Sequence, residues 1–239
     1  DGPHQELPVS LWPQPASHKQ VSSTSRLVAG AQFRCTVSGP TSDILKAACS
    51  RYEGYINSHA FPVSRRAGFG AVPTGDQLDS IEIKADDVIS EFSLHTNESY
   101  SLTIGNTGAA RVHAAHAIGA LRALETFFQL LQPLSKATFT VAPVEINDVP
   151  RWPHRGVLVD TGRHFYPVEF LMHIIEGMAM DKLSVLHWHI TEILSFPLVV
   201  ESVPELAGVS SFSPDAQYTH ADVAAIVAHA RLFGVRIIP

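Results

Sequence analysis

Charged side chains are scarce in this 239-residue sequence, and several familiar sequence signatures are missing from it. Asp, Glu, Lys and Arg together make up 17% of the residues, below the roughly 25% typical of soluble domains. The net charge of −6 argues against a protein that binds nucleic-acid backbone, since such proteins are basic. No apolar run approaches the roughly 18 residues of a transmembrane helix. No phosphate-binding loop, nucleophile elbow or dinucleotide fingerprint occurs either.

Cysteine is nearly absent too, with Cys35 and Cys49 the only two residues of this type. Two cysteines exclude a disulfide-dense scaffold and a zinc site built from cysteine. Cys35 falls in a strand pattern and Cys49 in a helical one, so the sequence allows either one disulfide bond or two buried thiols. Histidine is abundant by contrast: if all 13 were protonated, the net charge of −6 would become +7. Such a change of sign hints at a protein of an acidic compartment.

Hydrophobic residues account for 45% of the chain, enough for a sizeable core, and their periodicity predicts an N-terminal α+β domain. Residues 80–85 and 99–104 alternate with period two, as strands do. The longest helical pattern covers residues 108–131 and would place His113 and His116 on a helix. A sheet with its helices on one face accommodates this order of elements.

Prolines mark a boundary near residue 148, where the pattern of elements changes. They are Pro143, Pro150 and Pro153. We therefore predict two domains, 1–148 and 149–239.

The second domain follows the order strand, helix, strand, helix, strand. The run Gly156–Asp160 is apolar almost throughout, as expected of a strand buried on both faces, and residues 183–190 form the second strand. A capping-box pattern at 219–222 opens a helix before the third strand, 235–238. This repeat is typical of a parallel α/β sheet or of the start of a (β/α)8 barrel. Because Pro239 falls at an apolar strand, we expect the second domain to be incomplete.

Polar side chains cluster where the predicted strands of this domain end, which is where barrel enzymes carry their active sites. Asp160 and Arg163 follow the first strand, and the guanidinium offers a fork of donors for hydroxyls or carboxylates. Glu192 follows the second strand as a candidate acid, base or hydroxyl acceptor. His187 and His189 share one face of that strand.

Each of these residues also has a purely structural interpretation. Asp160 and Arg163 can form an ordinary loop ion pair, and Glu192 can be a solvated carboxylate. His187 and His189 supply only two ligands, and hydrogen-bonded histidines are commoner than such a metal pair. The sequence therefore predicts no metal site.

The triplet Asn97-Glu98-Ser99 is an acceptor sequence for N-glycosylation. Such triplets often arise by chance, so it is a weak indication of secretion. Asn97 is expected in the turn region before a strand.

Several stretches closely resemble the family 20 β-N-acetylhexosaminidases. Residues 155–167 (RGVLVDTGRHFYP) resemble the family's first barrel strand, and residues 178–190 (MAMDKLSVLHWHI) resemble the passage from helix to second strand. Residues 195–197 fit the following loop. Residues 100–104 and 119–127 resemble the end of the family's N-terminal domain.

The resemblance implies an α+β N-terminal domain followed by the first βα units of a (β/α)8 barrel. Family members remove terminal N-acetylglucosamine or N-acetylgalactosamine from glycans, and they retain configuration through the substrate's own acetamide oxygen. Arg163 matches the arginine that binds sugar hydroxyls, with Asp160 and His189 in supporting positions. Glu192 stands where members carry Asp, and the acidic residue that often follows is Ile193 here. We therefore expect altered ligand contacts at this loop.

The family's catalytic Asp-Glu pair lies on a later strand and is not found in residues 1–239. The resemblance therefore assigns no catalytic residue to this chain, which is expected to be inactive alone. It implies no cofactor, a glycan as the partner, and a lysosomal or secreted location; a dimer is left open. One alternative is a non-catalytic relative that binds glycans or pairs with a complete subunit. Another, a metal-dependent hydrolase using His187 and His189, is disfavoured because it needs further ligands.

Overall fold

The computed structural model describes residues 10–22, 24–29, 32–57, 75–88, 92–135 and 138–239. The chain divides into two compact units. The first comprises residues 1–91 and 95–151, and the second comprises residues 92–94 and 152–239.

The first unit contains nine strands and two helices among its described residues. A six-stranded sheet has the order β1-β9-β5-β6-β4-β3, and a three-stranded sheet has the order β2-β8-β7. The elements are β1 (Ser17–Gln20), β2 (Arg26–Ala29), β3 (Arg34–Val37), α1 (Asp43–Asn57), β4 (Ser80–Asp87), β5 (Tyr100–Ile104), β6 (Ala110–His116), α2 (Ala117–Leu130), β7 (Gln132–Ser135), β8 (Thr138–Val141) and β9 (Val144–Asp148).

The core of the first unit lies between the six-stranded sheet and its helices. Helix α2 packs against β4, β5 and β6, while α1 packs against β3 and α2. Side chains of alternating strand positions point into this layer and are fully buried, as are most apolar positions of α2. They include Ile81, Ile83, Leu102, Ile104, Leu124 and Phe127.

Cys35 and Cys49 form a disulfide bond that joins β3 to α1, with 5.2 Å between their Cα atoms. The two cysteines are therefore paired in a disulfide bond and are not two buried thiols, the other state that the sequence allowed. It fastens an edge strand of the sheet to the helix that covers it.

The helix predicted for 108–131 is wrong in its first part. Residues 110–116 form strand β6, which pairs with β4 on one side and β5 on the other. Its burial alternates with period two, because every second side chain faces α2. His113 lies on the exposed side of this strand. His116 caps α2, its Nδ1 accepting a hydrogen bond of 3.1 Å from the backbone N–H of Ile118.

The second unit is a parallel sheet with helices between its strands. The sheet has the order β10-β11-β12. Its elements are β10 (Gly156–Asp160), α3 (Val168–Met180), β11 (Val185–His189), α4 (Pro204–Ser210), α5 (His220–Leu232) and β12 (Arg236–Ile238). The predicted capping box opens α5: Thr219 accepts a hydrogen bond from the Asp222 backbone, and Asp222 accepts one from the Thr219 backbone.

Helices α3 and α5 bury one face of this sheet. Their inward residues form a core with Leu186, Trp188 and Tyr218. The expectation that β10 is buried on both faces is wrong: Leu158 is 55% exposed. Leu158 pairs in register with His187 on the face of the sheet away from this core. The apolar sequence of β10 therefore did not predict which face of the strand is covered. None of the helices among the described residues is long and apolar enough to cross a membrane.

Candidate functional site

The ends of β10 and β11 bring the predicted polar residues together. The two strands are parallel and place Asp160 opposite His189. His187 and His189 lie on the face opposite to Trp188, as the alternation predicts. Trp188 is fully buried, and its indole N–H donates a hydrogen bond of 2.9 Å to the Thr161 hydroxyl. This bond ties the end of β10 to β11 and fixes the start of the loop that carries Arg163.

The guanidinium of Arg163 bridges two carboxylates from different loops. Its Nη1 forms an ion pair with Oδ2 of Asp160, and its Nη2 lies 2.8 Å from Oε2 of Glu192. The backbone N–H of Arg163 also donates a hydrogen bond of 2.9 Å to Oδ1 of Asp160. Asp160 and Glu192 therefore hold the plane of the guanidinium together; the sequence suggested the contact with Asp160 but not the one with Glu192.

His189 lies between the same two carboxylates. Its Nδ1 is 3.4 Å from Oδ2 of Asp160, and its Nε2 is 3.6 Å from Oε2 of Glu192. Each carboxylate therefore contacts both the guanidinium of Arg163 and the imidazole of His189. The four contacts form a closed ring of Asp160, Arg163, Glu192 and His189. We call these four side chains the Arg163 cluster.

The Arg163 cluster is open to solvent on the side of the arginine. The side chain of Arg163 is 64% exposed, against 21% for Asp160 and 19% for Glu192. A guanidinium carries five N–H groups, so donors remain for a ligand beyond the two used by the carboxylates. Exposed ion pairs of this kind contribute little to stability.

Hydrogen bonds and charges within the cluster shift the pKa values of Asp160 and Arg163. The hydrogen bond from the Arg163 backbone, reinforced by the guanidinium, holds the pKa of Asp160 below its usual value. The hydrogen bond to Asp160 and the charge of Glu192 raise the pKa of Arg163. At neutral and mildly acidic pH the cluster therefore presents a cationic fork backed by an ionised Asp160.

A tight turn presents Glu192. The backbone N–H of Glu192 donates to the Ser195 carbonyl at 2.8 Å, and the reverse hydrogen bond is 3.2 Å long. The two residues between them, Ile193 and Leu194, are 92% and 89% exposed. Oε1 of Glu192 accepts a hydrogen bond of 3.0 Å from the backbone N–H of Ile193. The turn thus holds the carboxylate toward Arg163 while the apolar pair points into solvent.

Sequence reasoning missed two residues that shape the cluster. Thr161 receives the indole hydrogen bond of Trp188, and Gly162 lies against the backbone of the Glu192 turn, where a Cβ would be 2.8 Å from the Glu192 nitrogen. Both stand inside the stretch that carries the family resemblance, which was the available signal. His187 is exposed, and its ring lies 6.5 Å from that of His189.

A hollow among the described residues of the first unit does not include the Arg163 cluster. It measures about 470 Å³ on the polar face of the six-stranded sheet, and Ser101, His113 and Asn147 are among its lining residues. Across the described residues, no group of three or more His, Cys, Asp or Glu side chains is placed to hold a metal ion.

Two family models match the chain. The model described as "beta-acetyl hexosaminidase like" matches residues 11–130, about half of the chain. The model described as "Glycosyl hydrolase family 20, catalytic domain" matches residues 152–239.

Curated relatives cover almost the whole chain. The β-hexosaminidase subunit β of Mus musculus is 37% identical over 239 residues, which is 98% of this chain and 44% of the relative. The chitooligosaccharidolytic β-N-acetylglucosaminidase of Bombyx mori is 33% identical over 237 residues, covering 96% and 39% of the two chains. The chain therefore spans less than half the length of these relatives.

Solved structures show the same fold. The chitobiase of Flavobacterium johnsoniae superimposes with a TM-score of 0.82 at 25% identity, over 97% of this chain and 34% of the chitobiase. The β-hexosaminidase of Streptomyces plicatus gives a TM-score of 0.72 at 21% identity, over 96% and 45% of the two chains. From the family models and the relatives together, the chain belongs to glycosyl hydrolase family 20, the family of the β-hexosaminidases.

Proposed function

We propose that the chain is part of a β-N-acetylhexosaminidase that removes terminal, non-reducing N-acetylglucosamine or N-acetylgalactosamine from glycoconjugates. The names of the relatives support this activity. In this proposal residues 1–148 are the α+β N-terminal domain and residues 149–239 are the first βα units of a (β/α)8 barrel. The parallel order β10-β11-β12, with helices between the strands, is what such a barrel requires at its start.

The Arg163 cluster is the part of the sugar site that this chain supplies. One observation carries the proposal: an exposed guanidinium is held by two carboxylates at the C-terminal ends of adjacent parallel strands. Arg163 donates hydrogen bonds to adjacent sugar hydroxyls, because its fork matches two neighbouring acceptors. Glu192 accepts a hydrogen bond from a hydroxyl, and Asp160 and His189 fix the orientation of the pair.

The reaction itself needs groups beyond this cluster. In the proposed mechanism the acetamide oxygen of the substrate attacks the anomeric carbon, and a carboxylic acid protonates the leaving oxygen. Residues 1–239 contain no adjacent Asp-Glu pair, so we assign the proton donor and the acetamide-orienting carboxylate to residues outside this chain. The disulfide between Cys35 and Cys49 supports a lysosomal or secreted location, because such bonds persist in oxidising compartments.

Arg163→Lys tests the proposal directly. Lysine keeps the charge but loses the fork. A hydrogen bond to a charged group contributes about 1.5–3 kcal/mol, so we expect N-acetylglucosamine to bind at least about tenfold more weakly. The measurement is a titration of residues 1–239 with the sugar, followed by NMR, with glucose as the comparison ligand.

His187→Gln is the matched control for this titration. It removes an exposed ring from the same strand face without touching either carboxylate, and it should bind the sugar like the parent chain. If Arg163→Lys binds within about twofold of the parent, Arg163 is a loop residue and the proposal is wrong.

A further inference from the structure

The acceptor triplet Asn97-Glu98-Ser99 lies on the surface of the first unit, directly before β5. The side chain of Asn97 is exposed. Its Oδ1 accepts a hydrogen bond of 3.0 Å from the backbone N–H of Ser99. This Asx turn engages the oxygen of the amide, and the amide nitrogen Nδ2 is the atom to which an N-linked glycan is attached.

Glu98, the residue after Asn97, is buried in the first unit and anchors the triplet. Glu98 forms an ion pair of 2.8 Å with Nε of Arg122, and the two side chains are only 4% and 2% exposed. Breaking a buried pair of this kind is costly, because it leaves a charge without its partner. The triplet's backbone is therefore fixed to helix α2 while Asn97 stays outside.

Gly119 at the start of α2 reinforces this attachment. A Cβ at this position would lie 2.7 Å from the Ser99 carbonyl oxygen and 3.0 Å from that of Glu98. The helix therefore approaches the triplet as closely as a glycine permits. Asn97 is thus presented from a rigid surface.

The disulfide of the first unit is a second, independent indication. The bond between Cys35 and Cys49 is typical of proteins that fold in the secretory pathway. The same pathway holds the machinery that modifies Asn-x-Ser/Thr triplets. Asn97-Glu98-Ser99 is the only such triplet in the sequence.

We propose that Asn97 carries an N-linked oligosaccharide. The donor is an oligosaccharide attached to a lipid diphosphate. The Nδ2 atom of Asn97 forms a bond to the anomeric carbon of the donor's first sugar and loses one proton. The bond between that carbon and the diphosphate oxygen breaks, and the lipid diphosphate leaves with the electron pair. The proposal does not depend on the hexosaminidase activity.

The test translates residues 1–239 behind a cleavable secretion signal in the presence of microsomes. Molecules inside the microsomes are identified by their protection from added protease. We expect these molecules to show one stepwise increase in mass, which a peptide-N-glycosidase removes while converting Asn97 to Asp. Because the side chain is exposed, the glycosidase should also act on the folded, undenatured protein.

Three variants make the result specific to this triplet. Asn97→Gln and Ser99→Ala should each give a protected chain without the increase, whereas Ser99→Thr keeps the acceptor sequence and should retain it. A protease-protected parent chain with unchanged mass would overturn the proposal. So would an increase in mass that persists in Asn97→Gln.

Discussion

Gly162→Ala places one methyl group against the turn that presents Glu192, and the structure predicts how the protein responds. The new Cβ would lie 2.8 Å from the Glu192 nitrogen and 2.8 Å from the Thr191 carbonyl carbon. These are backbone atoms and cannot rotate aside. To reach an ordinary contact of 3.4 Å, the turn must move by about 0.6 Å.

This displacement acts on both the stability of the second unit and the Arg163 cluster. Overpacking of a tight contact costs about 1–3 kcal/mol. Moving Glu192 also disturbs the 2.8 Å contact between its carboxylate and Arg163. We therefore expect lower stability and weaker sugar binding from the same substitution. Gly177→Ala is the matched control, because its Cβ meets nothing within 4 Å, and an alanine inside α3 should stabilise the helix by about 0.5–1 kcal/mol.

Urea unfolding followed by tryptophan fluorescence measures the difference. Trp188 is fully buried, whereas Trp12 and Trp152 are 68% and 64% exposed, so Trp188 dominates the spectral change and reports on the second unit. The two glycine variants should shift the unfolding midpoint in opposite directions. If Gly162→Ala is within about 0.5 kcal/mol of the parent chain, the close approach of the turn is not a constraint and the reasoning fails.

Three further outcomes are expected. Arg26→Lys should destabilise the first unit by about 2–4 kcal/mol in urea unfolding, because the buried guanidinium donates to four carbonyl oxygens and one ammonium cannot satisfy them all; a loss below about 0.5 kcal/mol would contradict this. Asp222→Ala should cost about 1 kcal/mol above roughly pH 4. Hydrogen bonds from Thr219 lower the pKa of Asp222, so the difference from the parent should shrink as pH falls through that lowered pKa; a difference that grows on acidification would refute it. Residues 1–239 alone should not hydrolyse an aryl N-acetylglucosaminide, because a missing general acid alone costs about 10²–10⁴-fold; steady turnover by the purified chain would show that a proton donor is present.

Local sequence signals predicted the second unit better than the first. The capping box at Thr219 and Asp222 and the three strands of the parallel sheet depend on neighbouring residues, and the structure confirms them. Strand β6 depends on its partners: its run of Ala, Val and His satisfies a helical period and an alternating one equally. Pairing with β4 and β5 decides between them, and no single-sequence pattern contains that information.

In the Arg163 cluster too, the sequence predicted contacts between neighbouring residues but not those that depend on strand pairing. The order of residues suggested that Asp160 and Arg163 can pair, and strand alternation placed His187 and His189 on one face of β11. The contact between Arg163 and Glu192 joins residues 29 positions apart, so it required the parallel pairing of β10 and β11. The sequence did not predict the role of Gly162, because the backbone that Gly162 contacts belongs to the turn after β11.

A structure of the chain with methyl N-acetyl-β-glucosaminide bound tests the central claim most directly. The account predicts that two adjacent ring hydroxyls of the sugar lie about 2.7–3.2 Å from the guanidinium nitrogens of Arg163, with the carboxylate of Glu192 accepting from one of them. A sugar bound elsewhere, with Arg163 still contacting only Asp160 and Glu192, would contradict it.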